Sequence, residues 1–302
     1  MNKVIYYMKY SKVALVFFIL ISLSSISAVA QTEPFANQYF FNQYLANPAF
    51  AGLNGNLKIS ANYRKLSTSI ENAPVSQALS ADFSINDKNG LGLTILNSKA
   101  GFFSQTNIMG TYAYHLPIST EKKLSFGLSA GIRGDDFDAL NVQGDVNDPD
   151  ITGYIDRDKY FDAEFGIAYT SNSLNIQASF LNLNDLFKTD EEHNLVNRNI
   201  FFAAVSYKID LNQKSFPIIL EPKVAYRGIK GLDGIVDVGT NITMKGEKVS
   251  VYGLYHSSKS FSTGLCLKPN SVLSLIGGYS SVSQELKGIA KGGFELGLNL
   301  NL

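Results

Sequence analysis

Residues 124–133 read Leu-Ser-Phe-Gly-Leu-Ser-Ala-Gly-Ile-Arg, apolar at every even position and polar or glycine at every odd one. Successive side chains of a strand point to opposite faces, so this period of two makes a strand with one apolar and one polar side. The pattern extends outward in both directions. Upstream, Leu57, Ile59, Ala61 and Tyr63 alternate with Lys58, Ser60, Asn62 and Arg64, and Leu79, Ala81 and Phe83 with Ser80, Asp82 and Ser84. Downstream, Phe161, Ala163, Phe165, Ile167 and Tyr169 oppose Asp162, Glu164 and Gly166. Near the end, Phe294, Leu296, Leu298 and Leu300 oppose Glu295, Gly297, Asn299 and Asn301. Fourteen such segments are predicted, at residues 57–65, 76–84, 91–97, 105–116, 123–133, 160–169, 174–182, 199–209, 216–228, 234–243, 248–256, 260–267, 272–280 and 289–301.

The connections carry a second pattern. Counted from the first strand, the even-numbered ones are all short turns, while the two longest, residues 134–159 and 183–198, are both odd-numbered. A transmembrane β-barrel sorts its connections this way, with short periplasmic turns and longer external loops. A soluble sandwich has no reason to. Tyr63, Tyr112, Tyr114, Tyr169, Tyr207 and Tyr226 fall towards strand ends, where barrels place their interfacial aromatic girdles. The fold expected is all-β, an antiparallel up-and-down transmembrane barrel of about fourteen strands in residues 57–302, surrounded by outer-membrane lipid. An even strand number puts both termini on the periplasmic side.

Residues 1–30 have the anatomy of a secretory signal peptide. Lys3, Lys9 and Lys12 precede a short apolar run and the small residues Ala28-Val29-Ala30. The apolar run is about half the roughly 20 residues that a spanning helix needs. Lys+Arg and Asp+Glu each number 26 in the chain, and the leader takes three lysines and no acid. The remainder is slightly acidic, which gives no expectation of a nucleic-acid partner. The single cysteine, Cys266, has no partner for an internal disulfide.

Between the leader and the first strand lies FANQYFFNQYLANPAFAG, residues 35–52, within an aromatic and Asn-rich segment at residues 31–56. It resembles the mature N-terminus of the PorP/SprF family, outer-membrane proteins of the type IX secretion system in Bacteroidota. The resemblance rests on Asn47-Pro48-Ala49-Phe50-Ala51-Gly52, with Phe50 where a tyrosine is common, and on Tyr63-Arg64 at the end of the first strand. Ala73-Pro74-Val75, Gly90-Leu91-Gly92, Gly101 and Tyr112-Ala113-Tyr114 follow in order. Lys65-Leu66 departs from the Gln-Trp pair often found after the first strand. The resemblance implies a non-enzymatic accessory barrel that assists export or surface attachment of cargo such as gliding adhesins. Its partners would then be other type IX secretion subunits and a secreted surface protein. A diffusion channel or hydrophobic-solute transporter is the alternative.

A barrel of about fourteen strands is wider than the eight whose interior side chains can fill. Residues 35–50 are therefore expected either to enter the barrel as a plug or to wait outside it as a periplasmic arm. The loop at residues 134–159 is rich in aspartate. Asp145, Asn147, Asp148 and Asp150 have oxygen spacings that suit calcium, although the run lacks the pattern of an EF-hand. A solvated acidic loop is the other reading. His256-Ser257-Ser258 sets a histidine beside serines, the residue types of nucleophilic catalysis. A histidine at a strand end is more commonly an interfacial polar residue. No glycine-rich phosphate loop opens a helix, and no cofactor is expected.

Overall fold

A computed structural model describes residues 36–137, 159–187, 200–211, 217–229, 233–244, 246 and 248–302. The acidic candidates Asp145, Asn147, Asp148 and Asp150, the leader and His193 lie outside the described residues.

The chain forms one closed antiparallel sheet of fourteen strands. They are β1 (Lys58–Lys65), β2 (Val75–Asn86), β3 (Asn89–Ala100), β4 (Phe103–Ser119), β5 (Lys122–Phe137), β6 (Tyr160–Thr170) and β7 (Leu174–Leu181). Then come β8 (Ile200–Tyr207, resuming at Ile209–Asp210), β9 (Ile218–Ile229), β10 (Ile235–Met244), β11 (Val249–His256), β12 (Ser260–Leu267), β13 (Leu273–Ser280) and β14 (Gly293–Asn301). Each pairs with its neighbour in sequence, and β14 closes on β1 with Lys58 opposite Asn301 and Lys65 opposite Phe294. Every segment in the period-two reading is a strand. The break in β8 has a local cause. Its two pieces pair with β9 in a single register, and the two positions missing from the ladder, Tyr207 and Lys208, fall opposite Pro222 and Glu221, the proline having no N–H to give.

The apolar face points outward. Leu79, Leu128, Ile132, Phe161 and Leu296 are exposed, while Ser80, Ser129, Arg133, Asp162 and Glu295 are buried within the ring. A water-soluble fold has the opposite arrangement. An inverted pattern on a closed sheet with no free edge is what a bilayer demands. The aromatics make two belts. Tyr112, Tyr114 and Tyr207 are exposed near the short-turn rim, and Tyr226, Tyr255, Phe261 and Tyr279 near the opposite rim.

Most strands differ from the sequence reading by a few residues at their ends, and two of the differences have a visible cause. The last strand begins at Gly293 rather than near residue 289, because Lys287 and Ala290 form an isolated bridge and Ile289 is left 75% exposed. The third connection is only Gly101-Phe102, since β3 and β4 run on to Ala100 and from Phe103. A two-residue hairpin of this kind asks for a positive φ, and Gly101 supplies one at 61°.

Candidate functional site

The lumen is occupied by the segment before β1. Residues 36–50 form three short 3₁₀ turns, Ala36–Phe40, Gln43–Leu45 and Pro48–Phe50. Asn47 starts the third. Its Oδ1 accepts from the Ala49 amide at 2.9 Å, and Pro48 takes the first position of the turn, where a missing N–H costs nothing. The same side chain then spends its amide on the wall. Asn47 Nδ2 donates to the carbonyls of Ile167 and Ala178, both at 3.2 Å, and to Gln177 Oε1 at 3.4 Å. Asn47, Ala49 and Ala51 are completely buried.

Glycines on the polar phase of the strands make room for this motif. A Cβ at Gly127 would lie 2.2 Å from the Pro48 carbonyl carbon, and one at Gly166 would lie 1.9 Å from Asn47 Oδ1. At Gly92 it would meet the Tyr44 hydroxyl at 2.2 Å. The motif ends at Gly52, whose φ of 68° few other residues adopt and whose N–H donates to Asp82 Oδ2 at 3.0 Å. His115 links the same region to β4 and β5, with Nε2 3.0 Å from the Ala51 carbonyl and Nδ1 2.8 Å from Ser125 Oγ.

Further contacts go round the ring. Tyr44 donates to Thr111 Oγ1 at 2.7 Å, which lies 2.8 Å from Ser129 Oγ. Burial holds the Tyr44 phenol well above its usual ionisation range, so it remains a donor. Gln43 Oε1 accepts from Asn175 and Gln177, and Ser179 donates to the Ala46 carbonyl at 2.6 Å. Across the lumen, Gln38 Nε2 donates to Glu295 Oε1 at 2.7 Å, and Asn42 Nδ2 to Ser80 Oγ at 3.0 Å. Lys223 donates to the Tyr39 carbonyl, and its Nζ sits 4.5 Å above the Phe40 ring. Tyr39 packs on Phe202 at 5.0 Å between centroids, and Phe41 on Tyr252 at 5.6 Å.

Of the motif residues singled out in the sequence, Asn47, Pro48, Ala49, Phe50, Ala51 and Gly52 come together at this site. Tyr63 does not. It faces outward, 5.9 Å from the Phe294 ring. Arg64 faces inward, opposite Glu295, the residue that receives Gln38. The glycine seats escaped the sequence reading, although a glycine in the polar phase of a regular strand was the available clue.

Below the segment, towards the short-turn rim, a cavity of about 540 Å³ is lined by Phe41, Tyr44, Lys58, Lys123, Lys208 and Glu221 among others. Towards the opposite rim, a buried chain of polar groups crosses β9 to β13. Arg227 donates twice to Asp237 at 2.8 Å, and Asp237 Oδ1 lies 2.6 Å from His256 Nδ1. His256 Nε2 is 2.8 Å from Ser262 Oγ, which is 2.8 Å from Ser280 Oγ. Its connectivity is that of a Ser-His-Asp triad, yet Ser262 is 2% exposed and Arg227 clamps the carboxylate. This is a clasp that satisfies charges inside the wall. His256 uses Ser262, not the adjacent Ser257 and Ser258. Arg133 and Asp162 make a similar buried pair, 2.9 Å apart, between β5 and β6.

A family model described as "Type IX secretion system membrane protein PorP/SprF" matches residues 28–300. No curated protein matches the chain. Among solved structures, the outer membrane protein Omp33 of Acinetobacter baumannii is similar, with 7% identity and a TM-score of 0.47 over 83% of this chain and 100% of that one. A KdgM porin shows 6% identity and a TM-score of 0.40 over 81% of this chain and 99% of its own.

Proposed function

Because this chain belongs to the PorP/SprF family of type IX secretion system membrane proteins, we propose that it is a docking barrel of that system. In this reading it assists the export or surface attachment of a secreted protein such as a gliding adhesin, without catalysing a reaction. The observation that carries the reading is the occupied lumen. A ring of fourteen strands would be a pore, but residues 36–50 bond to β2, β4, β6, β7, β9 and β14 and fill its width. A protein cargo has no passage through such a barrel, so the working surfaces are its two ends.

The short-turn rim, where the chain enters β1, faces the periplasm in this reading, and both termini lie there. The N-terminal segment is a plug with one face turned to the periplasmic cavity. The secreted protein meets the opposite rim in this reading. The cavity at that rim carries both signs of charge, Lys58, Lys123, Lys208 and Lys268 with Asp82, Glu121 and Glu221, and would suit a polar surface of a periplasmic secretion subunit.

Crosslinked pull-down from native outer membranes tests the proposal. Secretion subunits and a large surface protein should be recovered together. Recovery of neither, from a correctly inserted barrel, would refute it. Liposome swelling by small solutes at porin-like rates would instead favour a diffusion channel.

A further inference from the structure

The lipid face of the barrel is uneven. Across β6, β7 and β8 the outward side chains stand in cross-strand rows. One row is aromatic, with Phe165 opposite Phe180 and Phe180 opposite Phe201. The rings of Phe180 and Phe201 are 4.9 Å apart, and Phe201 meets Tyr226 of β9 at 6.2 Å. In the next row towards the short-turn rim, Ile167 and Tyr226 flank a pair of alanines, Ala178 directly opposite Ala203. Tyr169, Ile176, Val205 and Val224 make the row beyond. Tall side chains on every side of two short ones leave a hollow.

That hollow has a volume of about 710 Å³. Its outward lining is hydrocarbon apart from the hydroxyls of Tyr169, Tyr207 and Tyr226. The volume lies within the roughly 300–1,000 Å³ of sites that hold one whole small molecule. Ala178 is four residues from Leu174 at the short-turn end of β7, about 14 Å along a strand that tilts by about 35–45°. The alanine row therefore lies near the middle of an apolar band about 25 Å tall, and the hollow runs from there to the short-turn interface. An apolar hollow stays dry, and left empty it forfeits the dispersion contacts of its walls. An acyl chain supplies them.

Retention needs more than an apolar lining, because lipid tails are as apolar as the rest of the wall. Shape is one source, through the phenylalanine ridge above the alanines. A headgroup contact is the other. Lys122 stands exposed at the short-turn rim, two residues before Leu124 and on the same side of β5, and Leu124 lines the hollow. Tyr207, opposite Leu174, brings a phenol to the same rim. An ammonium and a phenol at the interface suit the phosphate of a lipid.

We propose that this hollow is a binding site for one phospholipid of the periplasmic leaflet, with an acyl chain over Ala178 and Ala203 and the phosphate beside Lys122. The choice of leaflet rests on the orientation read above; the hollow does not. Native mass spectrometry of the barrel released from nanodiscs of equal phosphatidylglycerol and phosphatidylcholine should show one phospholipid held under activation that strips the rest. Phosphatidylglycerol should be favoured about fivefold, and Lys122→Ala should remove that preference. The double variant Ala178→Phe, Ala203→Phe fills the hollow and should lower retention about tenfold, since packing is what holds the chain.

A wild type that retains no lipid, or a folded double variant that retains it as the wild type does, would overturn the site. If the double variant fails to fold, a phospholipid with a diazirine on its acyl chain decides on the wild type. Its adducts should concentrate on peptides of β7 to β9, and an even spread round the barrel would overturn the proposal. A mass of two barrels without lipid, split by Ala203→Phe, would overturn it in favour of a second copy. From native outer membranes the retained lipid should be a phospholipid. Lipid A there, with phospholipid held in nanodiscs, would overturn the orientation and the leaflet rather than the hollow.

Discussion

Replacing Gly166 by alanine should dislodge the N-terminal segment while leaving the barrel standing. The added Cβ would lie 1.9 Å from Asn47 Oδ1, 2.9 Å from Pro48 Cδ and 3.0 Å from Asn47 Cγ. Asn47 must then move by more than 1 Å to reach ordinary contact at about 3.5 Å. It cannot do so and keep its bonds. The cap to Ala49 is worth about 1 kcal/mol. Its bonds to Ile167 and Ala178 contribute about 0.5–1.5 kcal/mol each. The sum, about 3 kcal/mol, shifts the local opening equilibrium roughly 100-fold. Hydrogen–deuterium exchange in detergent reads this directly. Peptides covering residues 42–53 should exchange about 100-fold faster than in wild type, while β2 to β6 keep their protection. Unchanged exchange at residues 42–53 in a folded variant would refute the seating argument. Loss of protection in the strands at the same rate would show that segment and barrel unfold as one unit.

Other perturbations separate wall from lumen. Arg227→Ala leaves Asp237 buried beside His256 and should cost about 3–5 kcal/mol, seen as an earlier loss of heat-modified gel mobility. Arg227→Lys should lose less. Leu128→Lys places a charge on the lipid face and should cost about 2–4 kcal/mol in refolding into bilayers if its position is near mid-membrane. Serine-directed fluorophosphonate probes should not label Ser262, given its burial and the clamp on Asp237; labelling there would reopen a catalytic reading. Calorimetry with calcium tests the acidic loop. A solvated loop gives no heat above a chelated control, and a saturable heat that Asp148→Asn removes would establish an ion site at Asp145, Asn147, Asp148 and Asp150.

The wall of this barrel was legible because its physics is local. Alternation as in residues 124–133 needs only neighbouring residues, and a bilayer outside with polar groups inside makes both phases informative. Boundaries such as Gly293 and the tight turn at Gly101 were less legible, since they depend on where a partner strand stops. The lumen was legible only in part. Asn47 to Gly52 stood out as a motif, and an over-wide ring implied that something had to fill it. Nothing in residues near Asn47 points to Ile167 or Ala178, more than a hundred positions away. The clasp from Arg227 to Ser280 is hidden for the same reason. Each member occupies an ordinary polar phase, and only closure of the sheet brings five strands into one chain of bonds. Gly127 and Gly166 were visible as residues but carried no meaning until the segment they receive was in place.

The partners of the opening segment also constrain how the protein is assembled. Gln38 bonds to Glu295 across 257 positions of sequence, and Asn42 to Ser80 across only 38. Some anchoring bonds can therefore form as soon as the first hairpin exists, and the last must wait for the final strand. A segment that comes first in the chain and whose last anchor waits for the final strand is well placed to report completion. Its protection from exchange would be complete only when β14 has joined β1, and contacts of such long range make that the slow step. The same residues 36–52 that occupy the finished ring would thus serve as a clock for its closure.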